Sequence, residues 1–136
     1  MYSRLSFGSK VVVPGTGSLL NNQMDDFAAQ PGVPNAFGLV GAEANSIAPG
    51  KRPLSSMSPT IVMRGEEPVM TLGAACGPTI ITQVVQTLIY KLALGYDLAA
   101  SVAGERVHHP WKPNVIFADS AFTDKVLGGL VGRGGW

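Results

Sequence analysis

The chain has 136 residues, enough for one domain with its own core, and nothing in its length calls for a second. It is 46% hydrophobic and 14% charged with a net charge of +1, which excludes a disordered chain and argues against a nucleic-acid partner or an electrostatically held membrane surface. Its single cysteine, Cys76, allows no internal disulfide; the start, Met1-Tyr2-Ser3-Arg4-Leu5, has no basic stretch followed by an apolar core, and the most apolar run, 84–100, is interrupted by Gln86, Lys91 and Asp97, so neither a signal peptide nor a transmembrane helix is expected.

Residues 10–13 form a β-branched run closed by Pro14-Gly15-Thr16-Gly17, and Ser18-Leu19-Leu20 resumes the apolar pattern, which predicts two short strands around a turn. From 28 to 54 four prolines and four glycines leave no room for a long regular element, so an ordered loop is expected there. Residues 60–63 and 68–72 flank Arg64-Gly65-Glu66-Glu67, the composition of a β-hairpin. After Gly73-Ala74-Ala75-Cys76-Gly77, Pro78 opens a helix. Ile80, Ile81, Val84, Val85, Leu88, Ile89 and Leu92 give it an apolar face, and it ends near Gly95. A short helix over 97–103, a strand over 115–117 and a helix over 120–127 capped by Ser120 complete the expectation, with no element in 128–136. The mixture, with its antiparallel hairpin, is α+β in one domain over 1–136.

Three segments could carry chemistry. Asn21-Asn22-Gln23-Met24-Asp25-Asp26 sets two carboxylates and three amides between apolar neighbours, a set able to orient a cationic group such as an ammonium, or else a self-capping turn. Ser55, Ser56 and Ser58 put three hydroxyls before a strand, where they could donate to a carboxylate. They belong to no Gly-x-Ser-x-Gly elbow, which counts against a serine nucleophile. The small-residue run 73–78 precedes a helix N-terminus, where bare backbone N–H groups can face a developing oxyanion. Within that run Cys76 reads as a small buried hydrophobe, the alternative being a thiol activated by the helix end. His108 and His109 lack a third ligand at a familiar spacing, so no metal and no other cofactor is expected.

Taken in order, 19–27, 31–35, 50–60 and His108-His109 resemble the small subunit of the γ-glutamyltransferases (γ-glutamyltranspeptidases, glutathione hydrolases) over most of the chain. The resemblance implies a portion of the N-terminal-nucleophile hydrolase αββα sandwich, from a precursor cleaved into large and small subunits. It implies a threonine nucleophile that attacks glutathione or other γ-glutamyl compounds and passes the acyl group to water or to an amino acid or peptide. It further implies that Gln23 and Asp26 hold the α-amino group of the γ-glutamyl moiety, that Ser55 and Ser56 hold its α-carboxylate, and that Cys76 and Gly77 stand at the oxyanion-hole positions. The partner expected is the large subunit or the remainder of the precursor, with periplasmic or extracellular placement if the chain follows bacterial members. Three departures accompany the match. The family's Gly-Ser-Pro-Gly-Gly-Ser becomes Gly73-Ala74-Ala75-Cys76-Gly77-Pro78, Arg4 stands where an asparagine is common, and no residue aligns with the threonine. Strands lacking at both ends would leave unpaired sheet edges, so a requirement for another chain, or poor solubility without one, is expected.

Overall fold

The computed structural model describes residues 8–35 and 37–133, so Arg4 lies outside the described residues. Two compact units divide the chain, Met1–Ser55 and Ser56–Trp136.

Among the described residues of the first unit, turns and isolated bridges replace longer regular elements, as the prolines and glycines predict. Val12 pairs with Leu19 across the turn, and the Val13 N–H donates to Ser18 and the Leu20 N–H to Val11, so the two expected strands form a minimal antiparallel pair. Two short 3₁₀ turns follow, Gln23–Asp26 and Glu43–Asn45. Phe27 and Ala28, directly after the first turn, supply this unit's buried apolar side chains among the described residues. Gly41 packs against Ala28 so closely that a Cβ there would stand 2.6 Å from the Ala28 Cβ, which only glycine avoids. Between them, Asn35 closes a small loop by accepting through its Oδ1 from the N–H groups of Phe37 and Leu39, at 2.9 and 3.0 Å.

The second unit opens with the hairpin, strands β1 (Thr60–Arg64) and β2 (Glu67–Leu72), each one residue longer than the expected runs. Gly65, with φ 62°, takes the first position of the two-residue turn, where mirror-image hairpin turns need a positive φ. The register shifts between Val62 and Met63, opposite Pro68, which has no N–H to give to the ladder. Helix α1 (Thr79–Leu88) follows and buries Ile80, Val84 and Thr87. It runs on as a π-helical segment, Ile89–Ala93, before Gly95 turns the chain at φ 73°. Helix α2 (Leu98–Ala103) is capped by Asp97, whose carboxylate accepts from the Ala100 N–H at 2.7 Å.

Beyond α2 the structure corrects the expected boundaries. Val107–His108 forms β3, a strand the sequence reading did not anticipate, paired antiparallel with β4 (Phe117–Ala118), which lies later than the expected 115–117. The last helix, α3, spans Asp124–Val131 rather than 120–127, with Thr123 and not Ser120 at its N-cap, and passes through Gly128 and Gly129. The glycines concealed it, because each lowers helix propensity while the apolar spacing of Val126, Leu127, Leu130 and Val131 persists. Arg106 binds the unit together: its guanidinium donates to the carbonyls of Ser101, Val102 and Gly104 and to Thr87 Oγ1 at 2.6–3.2 Å, joining the end of α2 to α1. Among the described residues, two antiparallel two-stranded sheets with three α-helices make the fold α+β.

Candidate functional site

The acidic cluster lies on the first 3₁₀ turn. Gln23 and Asp26 stand at its two ends, and the Gln23 N–H donates to Asn21 Oδ1 at 3.1 Å, so the turn is also self-capped. Asp26 is half-buried beside the buried Phe27. That burial, and secondarily the neighbouring Asp25 charge, raise its carboxyl above the ordinary 3.8. A carboxylate held against its preference for water gains by meeting a cation, which is what the reading as an ammonium holder requires.

Asp26 is fixed to a more distant segment through Asn45. The Asn45 Nδ2 donates to the Asp26 carbonyl at 2.8 Å, while its Oδ1 accepts from the Leu54 N–H at 2.9 Å. Leu54 immediately precedes Ser55, an exposed residue that closes the first unit. Sequence reasoning missed Asn45: one asparagine in a loop rich in turn residues gives no periodic or spacing cue. Ser56 opens the second unit and is half-buried, and its carbonyl accepts from the Ser58 hydroxyl at 3.2 Å. Ser58 thus turns back onto the backbone.

Within the second unit, Cys76 and Gly77 sit between β2 and α1, as the sequence predicts for a strand-to-helix turn, and both have positive φ, 88° and 58°. Cys76 is exposed, which corrects the reading of it as a buried small hydrophobe. The turn is braced by α1, since Thr79 Oγ1 donates to the Cys76 carbonyl at 3.0 Å and Gln83 Nε2 to the Ala75 carbonyl at 2.9 Å. Among the described residues neither the Cys76 nor the Gly77 N–H donates a backbone hydrogen bond. The Thr79–Gln83 pair, four residues apart with side chains 2.8 Å apart, was a readable i,i+4 contact that sequence reasoning overlooked.

His108, the last residue of β3, and His109, just beyond it, part company. His108 Nδ1 meets Thr82 Oγ1 at 3.0 Å, and His109 Nε2 meets Asn114 at 3.0 Å. Burial, and then His109, lower the His108 pKa and favour the neutral ring. Among the described residues no group of three His, Cys, Asp or Glu side chains could hold a metal ion, and no helix is long and apolar enough to cross a membrane.

Comparison with known proteins gives a consistent result. A family profile described as γ-glutamyltranspeptidase matches residues 3–135. The glutathione hydrolase proenzyme of Escherichia coli is 43% identical over 129 residues, covering 95% of this chain and 22% of that protein. That of Pseudomonas aeruginosa is 51% identical over 117 residues, covering 84% and 21%. The chain therefore spans about a fifth of the length of these relatives. Among solved structures, an acivicin-inhibited γ-glutamyltranspeptidase aligns with TM-score 0.89 at 39% identity over 96% of this chain and 70% of that one. The Pseudomonas nitroreducens γ-glutamyltranspeptidase complexed with L-DON aligns with TM-score 0.83 at 47% identity, over 94% and 68%.

Proposed function

The chain belongs to the γ-glutamyltranspeptidase family, and from that premise we propose that it holds the γ-glutamyl group of glutathione-like substrates for acyl transfer to water, an amino acid or a peptide. Its fold is a portion of the N-terminal-nucleophile hydrolase sandwich. Asp26 and Gln23 receive the substrate ammonium, Ser55 and Ser56 its α-carboxylate, and the N–H groups of Cys76 and Gly77 the oxyanion of the tetrahedral intermediate. The attacking threonine comes from precursor outside these 136 residues, and the large subunit completes the enzyme.

One observation carries this reading: family membership over 3–135 coincides with two polar segments of opposite recognition chemistry, a raised carboxyl on an amide-rich turn and a pair of adjacent hydroxyls. A zwitterionic head group needs both. The N–H groups of the two positive-φ residues on the turn at 76–77 add the third element of acyl transfer.

A second reading makes the chain a non-catalytic interaction module. Cys76 favours it, since a side chain occupies a left-handed position where the family pattern has glycine. Release of p-nitroaniline from γ-glutamyl-p-nitroanilide separates the two, measured with this chain assembled on a complementary precursor portion that starts with the threonine. Turnover above that portion alone supports the first reading, and assembly without turnover supports the second.

A further inference from the structure

We propose that Asn45 is a positioning residue that, within the first unit, sets the spacing between the ammonium-holding turn and Ser55, assigned to the carboxylate. The inference rests on the γ-glutamyl-holding reading above. Asn45 ends the second 3₁₀ turn and is half-buried, and it is bonded on four sides. Its N–H donates to the Ala42 carbonyl and its carbonyl accepts from the Ala28 N–H, both at 2.9 Å, which anchors its backbone beside the buried Phe27-Ala28 pair. Its side-chain amide then reaches 19 residues back to the Asp26 carbonyl and nine residues forward to the Leu54 N–H.

The two partners differ in polarity, one an acceptor and one a donor. A neutral amide satisfies both at once, whereas a carboxylate lacks the donor, a lysine lacks the acceptor, and a hydroxyl is too short to span them. Each partner belongs to, or adjoins, a residue assigned to one charge of the substrate: Asp26 for the ammonium, and Ser55, next to Leu54, for the carboxylate. A ligand with both charges profits from their fixed separation, because the ordering cost is met before binding. A ligand with one charge gains nothing from it. Asn45 thus selects for the intact α-amino acid head group without touching it.

Calorimetry on the full chain tests this with L-glutamate and with glutarate, which lacks the amine. The expected result is that Asn45→Ala weakens glutamate binding by about tenfold and glutarate binding by less than about twofold. Asn45→Asp, which keeps the acceptor for Leu54 and loses the donor to Asp26, shows the same selective loss and decides the question if the alanine variant fails to fold. Equal loss for both ligands marks a merely structural asparagine and overturns the inference, as does parental binding by both variants. Asp26→Ala and Ser55→Ala chains run alongside. If these weaken glutamate while Asn45 variants do not, the positioning role alone falls. If the parent chain fails to bind glutamate, or those two variants bind it as the parent does, the γ-glutamyl-holding reading falls and takes this inference with it.

Discussion

Cys76, at φ 88°, occupies a backbone conformation that costs an L-residue roughly 1–2 kcal/mol and costs glycine nothing. Removing the side chain while keeping the Cβ does not relieve it. In urea unfolding, Cys76→Gly is therefore expected to stabilise the chain by about 0.5–1 kcal/mol, after the larger unfolded-state entropy of glycine is set against the strain, while Cys76→Ala changes little. Equal stability of the two variants would show that the strain is not expressed. Asp26 obeys a different rule. Its folded pKa is raised above the unfolded value, so its contribution to stability is fully present below the unfolded pKa and is lost as pH rises through the folded one. Asp26→Asn is accordingly expected to melt above the parent at neutral pH, the gap closing on acidification to below the ordinary carboxylate range. Under the proposed ammonium-holding role, glutamate binding is expected to have the opposite dependence, since the ammonium needs the ionised form: affinity flat at neutral pH and falling on acidification at a pH above the usual 3.8. A titration series by calorimetry on parent and Asp26→Asn checks both directions, and a binding profile unchanged by the substitution would remove Asp26 from the site.

Among the elements, α1 does more than present an apolar face. Gln86 Nε2 donates to the Val107 carbonyl at 2.8 Å and its Oε1 accepts from the Val107 N–H at 2.9 Å, so one side chain serves β3 as a neighbouring strand would. A two-residue strand with a single paired neighbour has little else to hold it. Gln86→Ala is expected to cost about 1–2 kcal/mol in urea unfolding and to speed amide exchange at Val107 more than in β1 and β2, whose mutual pairing is independent of it. These contacts also explain what could be read beforehand. The hairpin, α1 and α2 were legible because their cues are local: a turn glycine between β-branched runs, an i,i+3/i+4 apolar face, and an aspartate cap. β3 was not, because its pairing depends on Phe117–Ala118 and on Gln86, far away in the chain, and α3 was hidden by Gly128 and Gly129. The candidate residues Gln23, Asp26, Ser55 and Ser56 were reached through residue types and family resemblance. Asn45, whose whole contribution is two long-range hydrogen bonds, has no local signature. The exposure of Cys76 and the sign of its φ are both left open by the string of small residues.

At the scale of the whole molecule, the distribution of apolar side chains is the deciding quantity. Among the described residues the buried apolar set is Phe27, Ala28, Ile80 and Val84, whereas Ile61, Met63 and Val69 of the hairpin and Ile81, Val85 and Ile89 along the opposite side of the α1 region are exposed. A helix apolar on both sides belongs between two layers, and a two-stranded sheet is not stable without a covered face. At roughly 25 cal/mol per Å² of apolar surface removed from water, covering these side chains amounts to several kcal/mol, comparable to the whole stability of an ordinary domain. The relatives are proenzymes about five times the length of the matched segment, and the remainder of such a precursor is the cover we expect. Addition of the complementary precursor portion should therefore lower the fluorescence of bound anilinonaphthalene sulfonate and raise the thermal midpoint of this chain, whether or not turnover appears. A midpoint and dye signal unchanged by that portion would mean that the hairpin and α1 surfaces are satisfied in some other way. The measurement is separate from catalysis, because cover depends on apolar area, whereas turnover, under the proposed function, depends on the threonine, Asp26, Ser55, Ser56 and the N–H groups at 76 and 77.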